Sequence, residues 1–260
     1  MKKIAILFCA VLGLHAAPVG NAAAPQLLED GFFIPSQCWV DFRLGYEGDF
    51  VGDGQLKQVI SGQGRVDTFQ QYTNAATVTL NVLDRLDLFA VFGSSRVCSD
   101  WRFNYFGGIS RIQLETFYQY LWGIGGRGIL WEWGASCLEL GGRYARCNYK
   151  PCWITSNAAQ VHVEKSEIHW KQWQFDLAIS YKIEWLIPYI GIKYSRVISL
   201  LKGFSVPISR SGTGTDHFTN KTPVGAFLGC SFSNGKYFML NVEGRFFDEQ
   251  AATISGDLRF

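Results

Sequence analysis

Apolar and charged residues alternate one by one along several long stretches of this chain. In CWVDFRLGYEGDF the apolar Val40, Phe42 and Leu44 alternate with the charged Asp41 and Arg43. Successive side chains of a β-strand point to opposite faces, so this period of two predicts a strand with one apolar and one polar face. The pattern returns in WQFDLAISYK, in KYFMLNVEGRF and in the closing ATISGDLRF. We therefore predict an all-β chain.

The apolar faces of these strands are rich in aromatic residues. Phe, Trp and Tyr make up 15% of the chain, and many of them fall near predicted strand ends. Transmembrane β-barrels place such aromatic girdles at the two membrane surfaces. We therefore predict an antiparallel transmembrane β-barrel of a cell outer membrane, surrounded by outer-membrane lipid. A secreted β-sandwich, whose strands also alternate, is the alternative.

The spacing of turn residues predicts about ten strands. The predicted strands are 38–51, 66–82, 85–97, 113–130, 132–147, 166–182, 185–200, 219–232, 236–247 and 249–260. Short turns are expected at 83–84, 131–132, 183–184 and 233–235. Longer polar or Gly-rich segments occupy 52–65, 98–112, 148–165 and 201–218. All long segments then lie at one end, as expected for long external loops and short periplasmic turns.

The strand count has one alternative. Twelve strands result if WRFNYFGG and part of residues 148–165 pair as additional strands. Either number is even, as closure requires in bacterial barrels.

The polar faces of a barrel must point into its interior, because an Arg or Lys facing lipid at mid-depth costs about 2–4 kcal/mol. The residues predicted to line a pore are Asp41, Arg43, Glu47, Asp49, Glu139, Arg143, Asp176, Lys182, Lys193, Glu243, Arg245, Asp257 and Arg259. Acids and bases nearly balance, which predicts a weakly selective channel for ions and small hydrophilic solutes. The alternative is a barrel closed by these side chains, a non-conducting structural or surface-interaction protein.

The N-terminal sequence predicts export. MKKIAILFCAVLGLHA has two lysines, an apolar run and a small residue, as in a signal peptide spanning residues 1–16. A buried helix is the alternative, whereas a lipoprotein signal is disfavoured because the bulky Phe8 precedes Cys9. We expect one outer-membrane barrel domain over residues 17–260. The formal net charge of +2 gives no indication of nucleic-acid binding.

One glycine motif resembles a cofactor site. Gly123, Gly125 and Gly128 have the GxGxxG spacing of dinucleotide-binding loops. Aromatic strand residues flank the motif on both sides, in YLWGIGGRGILWEW. We therefore interpret it as a strand with small side chains and predict no cofactor.

The histidines of the predicted mature chain do not indicate an enzyme. His162, His169 and His217 fall in or beside long segments, where an outer-membrane hydrolase could carry its site. No Ser-containing or paired acidic motif accompanies them, so we predict solvated histidines and no catalytic residue.

Six cysteines remain after the predicted signal, an even number that suggests disulfides in an exported protein. The disulfide candidates are Cys38, Cys98, Cys137, Cys147, Cys152 and Cys230. A metal site at CNYKPC would need two further ligands at matching spacing, so we predict no metal. A local disulfide between Cys147 and Cys152, or bonds between chains, are the two interpretations.

Six stretches, in order along the chain, have the pattern of one known family. They are APVGNAAAPQLLEDG, RLGYEGDFV, YTNAATVTLNVLDRLDLFAVFGSS, GILWEWGASCLELGGRYARC, HWKQWQFDLAISYKIEWLIPYIGIKYSR and VEGRFFDEQAATISGDLRF. These stretches resemble the chlamydial major outer membrane protein family. Together they cover about half of the predicted mature chain. The chain is shorter than the usual members, so it resembles a short or divergent one whose long loops have lost residues.

The resemblance implies a porin that forms a trimeric homo-oligomer and is joined to other envelope proteins through cysteine. It does not identify the solute or the disulfide pairs. The terminal Phe260 looks like the signal that the outer-membrane insertion machinery reads, so that machinery is an expected partner.

Overall fold

The computed structural model describes residues 20–28, 39–59, 64–208, 215–233 and 235–260. The predicted signal peptide and Cys38 lie outside these ranges. Within them, no helix is long and apolar enough to cross a membrane.

Antiparallel strands make up most of the described chain. They are β1 (Val40–Gly54), β2 (Leu56–Gln58), β3 (Arg65–Val82), β4 (Leu86–Tyr105), β5 (Gly108–Thr116), β6 (Gln119–Trp133), β7 (Ser136–Tyr149), β8 (Pro151–Ser156), β9 (Ala159–Gln160), β10 (Glu167–Tyr181), β11 (Leu186–Lys202), β12 (Asp216–Asn220), β13 (Val224–Ser233), β14 (Phe238–Phe246) and β15 (Glu249–Arg259). A 3₁₀ turn, Ala24–Leu27, precedes them.

Ten of these strands close into a ring. The order is β1–β3–β4–β6–β7–β10–β11–β13–β14–β15, and β15 returns to β1 with, for example, Leu44 opposite Leu258. Closure pairs both edges of every long strand, which a strand surrounded by hydrocarbon requires. The prediction of a ten-stranded antiparallel barrel is confirmed.

The connections at the two ends of the barrel differ, as predicted. One end, here called the turn end, has the tight connections β3–β4, β6–β7, β10–β11 and β13–β14. The turn-end connections use left-handed backbone, for example at Asp84 (φ 52°) and Gly134 (φ 63°). The opposite end, the loop end, carries four long connections and one short one, β14–β15.

Several predicted boundaries were wrong. The strand expected over 219–232 is split at residues 221–223 between β12 and β13. The turn expected at 131–132 lies inside β6, and the chain reverses instead at Gly134. The strand expected over 113–130 is broken at residues 117–118, where β5 ends and β6 begins. Apolar residues follow one another directly at the last two places, as in Phe117–Tyr118 and Leu130–Trp131, so a period of two could not locate either boundary.

Two of the expected long loops, 98–112 and 148–165, are largely strand, and the other two contain short strands. β4 continues through residues 98–105 and pairs with β5, β5 pairs with β8, and β12 joins β11 to β2. Of the two segments in the twelve-strand alternative, WRFNYFGG is the end of β4 and its turn into β5, whereas part of residues 148–165 does form the additional strand β8. They extend the wall at the loop end, and the ring itself remains ten-stranded.

The apolar face changes sides between the two halves of the barrel. On β10, Phe175 and Ile179 point outward and the intervening Asp176 is buried. Toward the loop end, Ile168 and Trp170 are buried in the interior instead. The interior of the loop-end half is accordingly an apolar cluster. Its larger members are Phe69, Trp101, Phe103, Ile112, Tyr149, Ile154, Trp170, Leu201, Phe204 and Phe218.

The interior position of Gly93 on β4 permits close pairing with β3. A Cβ there would lie 2.2 Å from the backbone oxygen of Asn74 and 2.5 Å from Cα of Ala75. We expect Gly93→Ala to destabilise the barrel by about 1–3 kcal/mol because the strand backbone must shift. Urea unfolding in detergent micelles, followed by Trp fluorescence, measures this change.

Gly256 on β15 provides the control, since a Cβ at that position would have its nearest neighbouring atom 3.7 Å away. Gly256→Ala should leave the unfolding midpoint nearly unchanged. Equal midpoints for the two variants would contradict the close β3–β4 approach.

The charged barrel interior as candidate functional site

The barrel interior gathers the residues that the alternation predicted to face inward. Lys182 is half-buried at the turn end, where its Nζ donates to the backbone oxygen of Gln26 at 2.8 Å. The other predicted residues are buried; these are Asp41, Arg43, Glu47, Asp49, Glu139, Arg143, Asp176, Lys193, Glu243, Arg245, Asp257 and Arg259. Their grouping into ion pairs determines what the interior can do chemically.

The group nearest the turn end is built around Arg43. Its guanidinium pairs with Asp87 on β4, and Arg127 on β6 bonds the other Asp87 oxygen at 2.7 Å. Arg259 on β15 lies 3.0 Å from Asp41. These contacts join four strands, so the turn-end charges are held by the wall itself.

An ion pair crosses the interior at mid-height. Both Arg143 Nη atoms on β7 lie 3.0 Å from Glu47 on β1. β7 and β1 are four positions apart in the ring of ten, almost on opposite walls. Both side chains are nearly inaccessible to solvent, so this bidentate pair bridges the lumen.

The group toward the loop half contains Arg245 and Lys193. Arg245 Nη2 lies 2.6 Å from Asp49 Oδ1 across the closing strand. Lys193 Nζ lies 3.1 Å from Asp248 and also contacts Glu249. Each buried cation thus has at least one carboxylate partner, as burial of a charge requires.

Three of the four remaining predicted acids lie beside polar groups. Glu243 accepts a hydrogen bond of 3.0 Å from the Tyr189 hydroxyl, and Glu139 accepts one from Ser180. Asp257 lies 3.4 Å from the Thr77 hydroxyl. These acids complete a polar layer around the lumen.

Four interior charges were missed by sequence reasoning. Asp87 and Arg127 follow the same inward alternation, and the second is hidden among glycines in GIGGRG. The sequence predicts a turn at Asp248 and the start of a strand at Glu249, yet both side chains are buried against Lys193. Alternation could have identified the first two, whereas the last two depend on how the β14–β15 turn folds inward.

The segment over residues 20–28 lies inside the turn end. The Asn21 amide donates to Ser231 Oγ at 3.0 Å, and the Ala22 amide donates to Glu139 at 2.6 Å. The Leu28 oxygen accepts from Arg259 at 2.9 Å. The segment therefore fills the turn-end mouth of the barrel with wall contacts on several sides.

The described residues leave little open space in the interior. Cavities of about 30, 10 and 20 Å³ lie in the turn-end, central and loop-end parts, respectively. A cavity near 10–15 Å³ holds roughly one water. In this conformation the interior side chains of the described residues are packed and nearly inaccessible to solvent.

The glycine motif lies within β6, where its residues pair with β4 and β7. The interpretation as a strand with small side chains is therefore confirmed. In the described part of the chain, no group of three His, Cys, Asp or Glu residues could hold a metal ion.

The histidines lie at separate places. His162 Nε2 is 3.1 Å from Glu164 in an exposed connection, a paired acid that the sequence reasoning had not expected. His169 Nδ1 is 3.0 Å from the Asn148 amide oxygen on the outer face. His217 lies on β12.

The five described cysteines are free. Cys137 and Cys147 are buried in the interior, whereas Cys98, Cys152 and Cys230 are half-buried. Burial and the nearby Glu115 carboxylate raise the pKa of the Cys152 thiol, which lies outside the ring.

Comparison with known proteins gives relatives over most of the chain. The model of the Chlamydia major outer membrane protein family matches residues 153–213. A major outer membrane porin of Chlamydia abortus is 30% identical, with 75% of each chain covered. One from Chlamydia psittaci is 26% identical, with both chains fully covered.

Solved outer-membrane proteins give weaker structural likeness. The autotransporter NalP translocator domain of Neisseria meningitidis has a TM-score of 0.45 at 9% identity, covering 85% of this chain and 88% of its own. The outer membrane protease OmpT of Escherichia coli has a TM-score of 0.42 at 11% identity, covering 85% and 96%.

The lumen-crossing pair Arg143–Glu47 is open to a direct test. We expect Arg143→Met to destabilise the barrel by about 3–5 kcal/mol, because it leaves the Glu47 carboxylate buried without its partner. Adding Glu47→Gln should restore most of the loss. Urea unfolding in micelles, followed by Trp fluorescence, measures both.

Arg111→Met is the control, because Arg111 is paired with Asp100 on the exposed outer wall. It should change the unfolding midpoint little. An Arg143→Met barrel as stable as the Arg111→Met barrel would show that the pair does not bridge the lumen.

Proposed function

The chain belongs to the family of the chlamydial major outer membrane protein, and we propose that it is an outer-membrane porin for ions and small hydrophilic solutes. It is a β-barrel of the cell outer membrane, in contact with membrane lipid. The loop end then faces outward and the turn end faces the periplasm.

One observation supports the proposal most strongly, namely the lining of charged side chains inside the turn-end half of the ring. A barrel needing only a filled core could use apolar residues there, which are easier to bury than charges. Mixed rings of charge along a lumen are instead a means of controlling ion passage.

The filled lumen bears on how such a porin conducts. Residues 20–28 occupy the turn-end mouth, and the apolar cluster occupies the loop half. Conduction then requires residues 20–28 to leave the mouth and a path to open beside the apolar cluster. The same packing supports a second candidate function, a non-conducting structural or surface-interaction barrel.

The charge balance of the lining supports weak selectivity. The thirteen predicted lining residues nearly balance, and the interior residues missed by sequence reasoning add three acids and one base. The proposed channel is therefore weakly selective with a small preference for cations.

Further proposals concern the assembly of the protein. Residues 1–16 are proposed as the export signal, and Phe260 as the residue read by the insertion machinery. The Phe260 amide donates to the Phe42 backbone oxygen at 2.9 Å at the β15–β1 seam, so the residue supports the seam as well. A homo-oligomer, a trimer by family resemblance, is also proposed.

We propose no catalytic function. The histidines lie at separate positions, and replacing all three should leave the proposed conductance unchanged.

Planar bilayers test the porin proposal. The refolded chain should give small stepwise conductance, and a chain beginning at residue 29 should give larger steps because the turn-end mouth is then open. In a KCl gradient, the reversal potential should have the sign of cation preference and lie well below the Nernst limit.

The control is electrophoretic mobility that changes on heating, which shows whether the refolded chain and the chain beginning at residue 29 are folded barrels. Folded, inserted protein without steps in either form would reject the porin and leave the structural barrel.

We also propose that the protein is joined to other envelope proteins by disulfides between chains. These disulfides would form through the half-buried thiols at the loop end. Cys98→Ser with Cys152→Ser should reduce the cross-linked species on non-reducing electrophoresis of envelopes. Cys137→Ser with Cys147→Ser is the matched control, since buried interior thiols are out of reach of a partner. Loss of cross-links only in the Cys137→Ser/Cys147→Ser protein would contradict the assignment of the cross-links to Cys98 and Cys152.

A further inference from the structure

The outer surface of three neighbouring strands carries a group of cations, here called the basic patch and made of Arg146, Lys171 and Arg196. They lie on β7, β10 and β11, and each side chain alternates with buried neighbours and so points outward. Lys171 is directly opposite Arg146, while Arg196 is opposite Trp173, the next outward residue after Lys171. Directly opposite and diagonal neighbours in a sheet lie within about 8 Å, so the three form one surface.

The basic patch lies at the loop-end border of the apolar membrane band. From Trp173 to Tyr181 every outward side chain of β10 is apolar or aromatic. This span is about 26 Å along the strand, which at a tilt of about 40° rises about 20 Å through the apolar band of about 25 Å in such barrels. Trp122, Tyr144 and Trp173 form an aromatic girdle there, with ring centroids 5.7 and 4.6 Å apart. Lys171 lies just beyond it, at headgroup depth.

The basic patch differs from another cation at the same border. Arg96 on β4 is balanced by Glu115 at 3.4 Å and lies over the ring of Tyr72 at 5.0 Å. Within the described ranges, no residue of the basic patch forms an ion pair with a carboxylate. Three adjacent positive charges are thus available to an external anion.

A groove opens beside the basic patch. Its volume is about 270 Å³, and its lining includes Trp122, Arg146 and Lys150. Glu167 also lines it, with its carboxylate 3.6 Å from Nε2 of His169. The groove combines an aromatic face with two cations and has room for a sugar ring.

We propose that the basic patch and its groove bind the phosphorylated disaccharide of an outer-leaflet glycolipid, lipid A. Phosphate oxygens accept charge-assisted hydrogen bonds from Arg and Lys, and Arg can do so in a bidentate manner. The groove takes the sugar beside Trp122, and the acyl chains extend below the aromatic girdle. A glycolipid fits better than a phospholipid because the patch faces the outer leaflet and adjoins a sugar-sized groove.

The binding test uses the folded full barrel in detergent micelles and two probes, diphosphoryl lipid A and the same lipid with its phosphates removed. Native mass spectrometry or a fluorescence titration gives the affinities. Diphosphoryl lipid A should bind the wild type, and Arg146→Gln/Lys171→Gln/Arg196→Gln should weaken it by at least about tenfold. Each single substitution should weaken it less, which keeps the test informative if the triple variant folds poorly.

Lys57→Gln/Lys165→Gln/Lys221→Gln removes the same charge from exposed loop-end lysines and is the matched control. It should bind lipid A within about twofold of the wild type. Equal binding of phosphate-free lipid A, or equal weakening in the control, would overturn the proposal. Competition by phosphatidylglycerol micelles at equal concentration would overturn the glycolipid assignment in favour of a phospholipid.

Discussion

A strand that crosses hydrocarbon must pair both edges and present only apolar side chains to lipid. In this chain the β15–β1 seam, from Arg43 opposite Arg259 to Gly54 opposite Glu249, meets the first requirement by closing the ring. In a closed ring surrounded by lipid, the charged faces of the strands must therefore face the interior. Inside, these charges are removed from water and must find partners, so the ion pairs around Arg43, Arg143 and Arg245 follow from the closed ring.

The reversal of the apolar face along β10 divides the molecule into two parts. From Trp173 toward the turn end the barrel is apolar outside and charged inside, as a membrane protein must be. At Trp170 and beyond it is apolar inside, as a soluble domain would be. The place where the apolar face changes from outward to inward marks the membrane border. The unpaired cations of the basic patch lie at that border.

Much of the fold could be predicted from sequence, because alternation encodes both the strands and the side that each residue faces. The ten ring strands and the inward position of Arg143 follow from that pattern. The pattern could not show that Arg143 meets Glu47, since the partner of an interior charge depends on ring order and stagger. It also could not place residues 20–28 in the lumen, because that segment has no periodicity. The sequence predicts loops where the loop-end strands lie, because their polar residues face outward and resemble those of a solvated segment.

The membrane position inferred for this barrel is that β10 crosses the membrane with its apolar face in lipid and reverses that face at Trp173. Spin labels placed one at a time from residue 167 to 181, on a cysteine-free barrel in bilayers, test it by their accessibility to oxygen and to a water-soluble relaxation agent. We predict oxygen access at 173, 175, 177 and 179, water-side access at 169 and 171, and protection from oxygen at 168, 170 and 176. Water access at 175 and 177, as on the exposed strand of a soluble sandwich, would contradict this membrane position.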